Sequence, residues 1–269
     1  MIYYIKYINF SYNKNKLTKL YQDSLLDSYS RSYYRKIGED INVIKAIQFA
    51  GINPENGNMQ HYNFDEKGNK IVVEGIGQVS NLANWQRVGQ ATPRFFGGFT
   101  NSFQYKNYSL NVEWWFQVGN YTQMSLVNNF QAPTAPRLGR NNVVFADNQH
   151  IWQGPGDTQA NYPDVFSTDP NAWTALTYRS SKMWGNASHA RLRNVRFTYS
   201  LPTGLLKALK LARAGVFVSG DNLYVIKHKD FVGVDPEGAV LGGVTPSYGG
   251  AGTGFANPRR FLFGMQLTF

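Results

Sequence analysis

The chain has 269 residues, carries 27 Lys and Arg against 17 Asp and Glu for a formal net charge of +10, and contains no cysteine. The absence of cysteine excludes disulfides, thiol catalysis and cysteine-ligated zinc, and the scattering of basic residues argues against a nucleic-acid-binding tract. No stretch approaches the ~18–20 consecutive apolar residues of a membrane-spanning helix, so a helical membrane protein is excluded. The mean hydropathy of −0.39 does not exclude a membrane β-barrel, whose strands alternate lipid-facing and lumen-facing side chains.

Alternation of apolar and polar residues with period two predicts six long strands. Their expected positions are near 2–12, 94–105, 108–119, 190–201, 213–226 and 259–269. Each segment is about ten residues or more, whereas strands of soluble proteins average ~5–6 residues and tilted membrane strands need ~9–11. Strand length, together with an aromatic content of 15 %, favours a membrane β-barrel.

The hairpin at 94–118 shows the pattern most clearly. Phe95, Phe99 and Phe103 share one parity, and Trp114 shares the apolar parity of the second strand. We therefore expect Trp114 to lie on the lipid side, in the aromatic belt at the membrane interface. Trp115 is expected on the lumen side, against a plug.

The connections between these strands alternate in length. The turn at Lys106-Asn107 and the segment 202–211 are short, whereas 14–92, 120–189 and 227–258 are long and rich in Gly, Pro and Asn. Every short connection falls on one side of the sheet and every long one on the other. Short periplasmic turns opposite long extracellular loops are typical of outer-membrane barrels. The sequence therefore predicts an all-β, antiparallel transmembrane barrel.

The last predicted strand, RRFLFGMQLTF, has an apolar residue at every second position. The expected lipid-facing row is Phe261, Phe263, Met265, Leu267 and Phe269. We expect this strand to close the barrel by pairing with a first strand, because an open strand edge cannot persist in lipid.

Five stretches together resemble the C-terminal part of the SusC/RagA-type TonB-dependent outer-membrane transporters of Bacteroidetes. They are FSYNKNKLTKL (10–20), TPRFFGGFTNSFQYKNYSLNVEWWFQVGN (92–120), LRNVRFTYSLPTGLLKALKL (192–211), GVFVSGDNLYVIKHKDFVGVDPEG (215–238) and NPRRFLFGMQLTF (257–269). They match the family's N-K-N-K strand end, G-G-F hairpin, L-x-N-V strand, S-G-x-N-L strand leading to D-P-E, and terminal strand in order and spacing.

The resemblance implies that the whole chain, 1–269, is the C-terminal portion of a plugged barrel of about 22 strands, with the plug, TonB box and signal peptide outside it. It implies outer-membrane import of glycans or peptides, energised by TonB acting through the missing N-terminal part. The implied partners are a SusD-like lipoprotein lid, the barrel-assembly machinery, which would recognise the terminal aromatic, and outer-membrane lipid. A natural split-gene product remains open as an alternative to a fragment.

Catalytic, metal and cofactor motifs are not found in the sequence, so no enzymatic activity, metal or cofactor is expected. The four histidines lie far apart, no H-E-x-x-H or G-x-S-x-G motif occurs, and GGAGTG (249–254) has no P-loop lysine. Asp235 and Glu237 look like the start of an extracellular loop rather than a glycosidase pair. The segment FDEKGNKI (64–71) is closer to a polar turn than to a calcium loop.

Loop aromatics are the candidate ligand contacts. Trp152, Tyr162, Trp173 and Trp184 could stack on a sugar ring or close over a peptide. The alternative is that they pack the loops on each other or on a partner. The rival overall interpretation is a soluble β-rich carbohydrate-binding module that uses the same aromatics for stacking.

Overall fold

The computed structural model describes residues 2–21, 24–27, 33–75, 79, 84–124, 150–164, 179–233, 235–237 and 256–269. The strands in these ranges are β1 (Ile2–Tyr12), β2 (Ser24–Asp27), β3 (Tyr33–Lys36), β4 (Val43–Ala46), β5 (Phe49–Ile52), β6 (Met59–Phe64), β7 (Lys70–Glu74), β8 (Gln86–Gln90), β9 (Phe95–Tyr105), β10 (Tyr108–Val118), β11 (Tyr121–Gln123), β12 (Trp184–Asn186), β13 (His189–Ser200), β14 (Arg213–Lys227) and β15 (Arg260–Thr268). The helical elements are α1 (Thr203–Leu209) and a 3-10 turn at Ser181–Met183. Among the described residues, no helix has the length and apolar character needed to span a membrane.

Six long strands form one continuous antiparallel sheet, which we call the large sheet, in the order β1-β9-β10-β13-β14-β15. The shortest of them, β15, has 9 residues and the longest, β14, has 15. At a rise of roughly 3.4 Å per residue, such strands are long enough to cross a bilayer at a tilt. The prediction of an antiparallel all-β fold is confirmed by this architecture.

The connections of the large sheet are short at one end and long at the other, as the sequence predicts. The turn between β9 and β10 consists of Lys106 and Asn107, with Lys106 in the left-handed region at φ 52°, which suits a tight hairpin turn. Between β13 and β14 the chain forms α1, which Lys210 ends in the left-handed conformation. We call this the turn end, and the opposite end the loop end.

One face of the large sheet is covered by aromatic rings in contact across strands. Tyr4 stacks on Phe103 at 4.8 Å between ring centroids near the turn end, and Phe10 lies 5.7 Å from Phe95 near the loop end. Such cross-strand pairs each add to sheet stability beyond the area they bury. In the middle of the hairpin, Phe99 stacks on Trp114 at 6.1 Å. This face, which we call the apolar face, also carries the apolar row of β15.

Two adjacent glycines in the G-G-F motif allow the strands on both sides of β9 to approach it closely. A Cβ atom at Gly97 would lie 2.3 Å from the backbone oxygen of Asn9 in β1, and one at Gly98 would lie 2.7 Å from the backbone oxygen of Trp114 in β10. Glycine inside a strand often marks such a close approach of backbones. The packing of three strands therefore explains this motif.

Bulges interrupt the pairing of β13 with both of its neighbours. Against β10 the register skips Arg193, which is the extra residue. Against β14, Asn222 and Leu223 lie opposite Arg193, and Asn222 adopts the left-handed conformation at φ 54°. A bulge of one residue reverses the side to which the following side chains point. Arg191 therefore lies beside Trp115 on the face opposite the apolar face.

The long connections at the loop end hold three smaller sheets, in the orders β2-β3-β4-β8, β5-β6-β7 and β11-β12. We call β2–β8, β11, β12 and residues 150–164 and 179–187 the loop unit. A hydrophobic cluster in this unit contains Ile52, Met59, Tyr162, Met183 and Ala187, and Met124 and Phe231 next to the unit complete it. The long connection 14–92 contains seven short strands, and several of their residues belong to hydrophobic clusters.

Candidate functional site

Three of the four predicted ligand-contacting aromatics lie in the loop unit, and Trp173 lies outside the described residues. Tyr162 is 2 % exposed and Trp184 is 8 % exposed. Trp152 is half-buried and donates its Nε1–H to the backbone oxygen of Pro54 at 2.8 Å. The burial of Tyr162 and Trp184 favours the alternative in which these rings pack the loops together. A stacking role for the four aromatics stays a prediction.

Tyr162 is also part of a slot that holds the side chain of Lys182. The Lys182 ammonium lies 4.6 Å from the Tyr162 ring centroid and 5.2 Å from that of Phe49. Aromatic faces attract a cation in this geometry, while burial lowers the pKa of Lys182 below its ordinary value. This contact ties the 3-10 turn to the β5-β6-β7 sheet.

Beside this slot, His61 in β6 is fully buried. Its Nε2 lies 3.1 Å from the Ser180 hydroxyl oxygen. Burial lowers the pKa of His61 from 6.5 to about 4, because the low-dielectric core disfavours the charged imidazolium. His61 is thus a neutral core residue at pH 7, and it packs edge-on to Phe49 at 6.0 Å.

We expect acidification to weaken the loop unit through His61. The unfolded chain takes up the imidazole proton near pH 6.5 and the folded chain only near pH 4, so stability present above pH 6.5 is lost as the pH falls towards 4. The loss reaches up to about 3 kcal/mol at the lower limit. Hydrogen exchange of the β6 amides at several pH values, corrected for intrinsic rates, measures it. The variant His61→Gln should lose this pH slope, and an unchanged slope would show that another group causes it.

A second polar cluster fixes the turn at 53–58. The Glu74 carboxylate accepts hydrogen bonds from the side-chain amides of Asn53, Asn56 and Asn58, at 3.0–3.1 Å for the last two. The Trp152 ring covers this turn at Gly57, where a Cβ atom would lie 2.8 Å from the ring. The predicted ligand aromatic Trp152 is therefore clamped on both its polar and its apolar side.

The most charged site lies where the loop end meets the face opposite the apolar face. We call it the rim network, and it consists of His189, Arg191, Arg193, Asp235 and Glu237. Arg191 hydrogen-bonds Asp235 and its Nε lies 2.9 Å from Glu237 Oε2. Glu237 Oε1 lies 2.8 Å from both Arg193 Nη2 and His189 Nε2. The side chains of Arg191 and Asp235 are only 3 % and 4 % exposed.

The rim network joins both ends of the connection between β14 and β15. Asp235 accepts hydrogen bonds from the backbone N–H of Glu237 at 2.9 Å and of Asn257 at 3.0 Å, and the Asn257 amide donates to Glu237 at 3.1 Å. Asp235 and Glu237 precede the connection's undescribed part and Asn257 follows it. The rim network therefore holds the two ends of this connection together.

Both carboxylates of the rim network are held ionised. Burial opposes the charge of Asp235, but the two backbone N–H donors and the Arg191 charge outweigh it and keep its pKa below the ordinary value. For Glu237, burial is likewise outweighed by the His189 hydrogen bond and the charges of Arg191 and Arg193, which lower its pKa. Because each charge is neutralised within the rim network, its geometry is that of a structural ion-pair network and not of an acid–base pair.

The remaining sequence candidates have simpler surroundings. Asp65 in FDEKGNKI accepts hydrogen bonds from the Asn69 side chain at 2.9 Å and from the backbone N–H groups of Lys67 and Asn69. These hydrogen bonds lower the pKa of Asp65, and the bond from the Asn69 side chain has the largest effect. The arrangement is an ordinary Asx turn. Across the described ranges, no group of three or more His, Asp or Glu could hold a metal ion.

The predicted apolar row of β15 points away from the protein. Its members Phe261, Phe263, Met265, Leu267 and Phe269 are all exposed, and the register pairs Phe263 with Val218 and Met265 with Val216. On the other face of β15, Gly264 allows close packing of Phe217, whose ring lies 2.6 Å from where a Cβ atom would be. Contact of the row with lipid stays a prediction.

The large sheet and the loop unit define a class of protein. An antiparallel sheet of long strands with an apolar outer face, tight turns at one end and large packed loops at the other has the architecture of an outer-membrane barrel wall. No family model matches the chain. Among curated proteins, the chain is 28 % identical over 247 residues to the TonB-dependent receptor P3 of Formosa agariphila, a match that covers 85 % of this chain and 22 % of that protein.

Solved structures specify the fold further. All of the chain aligns with 27 % of a chain of the RagAB peptide importer in the closed-closed state, with a TM-score of 0.73 and 21 % identity. The open-open state of the same importer gives a TM-score of 0.73 at 20 % identity. The curated TonB-dependent receptor and the RagAB structures together confirm the predicted resemblance to SusC/RagA-type TonB-dependent transporters, and the RagAB structures confirm the barrel fold. The chain spans about a fifth to a quarter of the length of these proteins.

Proposed function

We propose that the chain forms part of the wall and extracellular loops of an outer-membrane importer energised by TonB. The observation that supports this most strongly is the apolar face of the large sheet. Its exposed side chains include Tyr4, Ile8, Phe10, Phe263 and Met265, each more than half exposed. A soluble protein rarely leaves so large a contiguous apolar surface in water, whereas a barrel presents such a face to lipid. The same face counts against the soluble carbohydrate-binding module.

The proposed partners follow from the similarity to transporters. A SusD-like lipoprotein would cover the loop end, TonB would act through a plug encoded outside these residues, and the barrel-assembly machinery would recognise β15 as the closing strand. The cargo is a glycan or a peptide. Of the two, the name of the matched peptide importer favours a peptide.

In this proposal the chain performs transport and no chemistry. The large sheet supplies wall, and the loop unit stands at its loop end as a packed structure on which a lid could rest. The rim network fastens the base of the last loop to the wall. The matched proteins are named as a receptor and an importer, which supports a non-enzymatic role.

The test uses the gene with all of its flanking coding sequence in its own host. Membranes are separated by density, and growth is measured with oligopeptides or oligosaccharides as the limiting nutrient. We expect the protein in the outer-membrane fraction, and we expect deletion of the gene or of TonB to abolish growth on one nutrient class. A protein that remains soluble without detergent, or uptake that is independent of TonB, would refute the proposal.

A further inference from the structure

A polar cavity lies where the loop unit joins the large sheet. Its volume is about 360 Å³, and its polar lining includes Arg87 of β8, Arg94 just before β9, Tyr121 of β11 and Asn186 of β12. It is separate from the rim network and contains none of the predicted ligand aromatics. Four different strands or strand ends thus bring hydrogen-bonding side chains to one cavity.

Both arginines of the cavity are held by neighbours that leave their charge unneutralised. The Arg87 guanidinium donates to the side-chain oxygen of Gln90 at 3.3 Å, and Gln90 in turn donates to the backbone oxygen of Thr92 at 3.0 Å. The stem of Arg94 packs on Gly119, where a Cβ atom would lie 3.3 Å from it. Neither arginine forms an ion pair with any described residue. Two cations at one cavity repel each other unless an anion joins them.

The Asn186 side chain is oriented so that its amide nitrogen remains as a donor. The Ser188 hydroxyl accepts from the Gly119 backbone N–H at 2.9 Å and donates to Asn186 Oδ1 at 2.5 Å, and the Ser188 backbone N–H donates to the same oxygen at 2.9 Å. These two bonds occupy the oxygen. The Nδ2 group of Asn186, by contrast, has no hydrogen-bond partner within the described ranges.

We propose that this cavity binds a carboxylate group of a ligand. Its lining supplies the Arg94 guanidinium, the Arg87 N–H groups that do not bond to Gln90, the Asn186 amide NH₂ and the Tyr121 hydroxyl, and no acidic side chain is among the lining residues. Arginine forks match the two oxygens of a carboxylate and form short, charge-assisted bonds with it. The side-chain oxygens of Gln90 and Asn186, which could have repelled an anion, are both turned to protein donors.

The shape of the cavity also limits what fills it. The Tyr121 ring lies flat on Gly89, where a Cβ atom would be 2.3 Å from the ring. A side chain at residue 89 would therefore displace the Tyr121 ring, and both residues line the cavity.

The inference rests on the proposed function only for the source of the ligand, which is an acidic peptide or an acidic sugar. The test uses protein expressed with its flanking sequence and purified in detergent, so that no TonB energy is needed. Calorimetric titration compares tri-glutamate with tri-glutamine, both amidated at the C-terminus so that only the first carries carboxylates, and tri-galacturonate with its methyl ester. We expect one acid to bind and its neutral counterpart not to bind, and the acid that binds identifies the source.

Substitutions of the lining residues test whether the acid binds in this cavity. Arg87→Ala and Arg94→Ala should each weaken binding of the acid by roughly tenfold or more, as expected for a lost charge-assisted hydrogen bond. Asn186→Asp, which has the same shape but replaces the donor with an acceptor, should weaken binding at least as much. Gly89→Ala should do so by displacing Tyr121. The matched control Arg213→Ala removes an equal charge at the turn end and should leave binding unchanged.

Two results would overturn the inference. One is that neither acid binds better than its neutral counterpart, and the other is that the cavity variants bind the acid as Arg213→Ala does. Each variant is first checked for folding by the heat dependence of its migration in detergent gels. Binding that persists in a protein without import activity would remove the proposed function and keep the carboxylate site.

Discussion

Replacing Phe263 with arginine is expected to destabilise the membrane-inserted protein by up to about 4 kcal/mol, the cost of an arginine on the lipid face near the bilayer midplane. Phe263 is 80 % exposed and belongs to the apolar row of β15. Its partner in the register, Val218, lies on the same face. A guanidinium at this point would have to reach the interface or draw water into the hydrocarbon. If the face were exposed to water instead, the same change would be neutral or would increase solubility.

The matched control is Gln266→Arg in the same strand. Gln266 pairs with Gly215 on the opposite face, where an arginine would meet the lumen. We expect a change below about 1 kcal/mol there, since lumen positions tolerate charge. Urea titrations of the protein with its flanking sequence in phospholipid vesicles, followed by tryptophan fluorescence, give both free energies. Equal effects of the two substitutions would show that the apolar face does not contact lipid.

The antiparallel fold could be predicted from the sequence because its signal is long and periodic. In the hairpin, Phe95, Phe99 and Phe103 share one parity, and apart from Phe96 the other parity holds small or polar residues across the whole strand. Over that length, a period of two indicates a β-strand. The turn at Lys106-Asn107 fixes the register between β9 and β10. These features are local, so no knowledge of distant neighbours is needed to recognise them.

The loop unit could not be predicted because its strands are short and its core is assembled from distant segments. Strand β11 has 3 residues and β5 has 4, too few to show a period. Residue Ile47 pairs with Ser180, far away in the sequence. The burial of Tyr162 and His61 depends on the same long-range packing. The sequence places Tyr162 in a long loop but does not show whether its ring is buried in a core or exposed to contact a ligand.

The rim network could not be predicted for a different reason. Strict alternation back from Val195 places Arg191 on the apolar side, away from the acidic residues of the D-P-E motif. The bulge at Arg193 reverses that parity, and no residue pattern marks a bulge without the register of the neighbouring strands. The charges in ARLRN and the acids of D-P-E were the signal that could have suggested a pairing.

Replacing Arg191 with methionine is expected to destabilise the loop end by about 3–5 kcal/mol, because it removes one partner of a buried ion pair and leaves charge without compensation. Asp235 and Glu237 would keep the cost of burial and lose the Arg191 charge that helps to lower their pKa values. Methionine retains much of the volume of the arginine stem, so the loss reports charge more than packing.

The control for this prediction is Arg193→Met. The Arg193 side chain is 35 % exposed, so solvent replaces much of its interaction, and we expect a loss of at most about 1 kcal/mol. Hydrogen exchange of the amides of β13, β14 and residues 235–237 measures both variants. Exchange should rise steeply in Arg191→Met and little in Arg193→Met. Similar protection in the two variants would mean that backbone hydrogen bonds alone hold the base of the loop.

The pH dependence of loop opening further distinguishes the Arg191 ion pairs from the backbone hydrogen bonds as the interaction that holds the base of the loop. Because the folded pKa values of Asp235 and Glu237 are lowered, their contribution is present above the unfolded pKa values and is lost as the pH falls through the folded ones. In Arg191→Met those folded pKa values should rise, so the loop base should open at a higher pH than in the unchanged protein. This change in the opening pH falls below the pH at which His61 begins to titrate, because the unfolded carboxyl pKa values are near 4. Adding His61→Gln to the same background removes any overlap between the two transitions. An acid transition that does not move on loss of Arg191 would assign the fastening to Asn257 and the backbone donors.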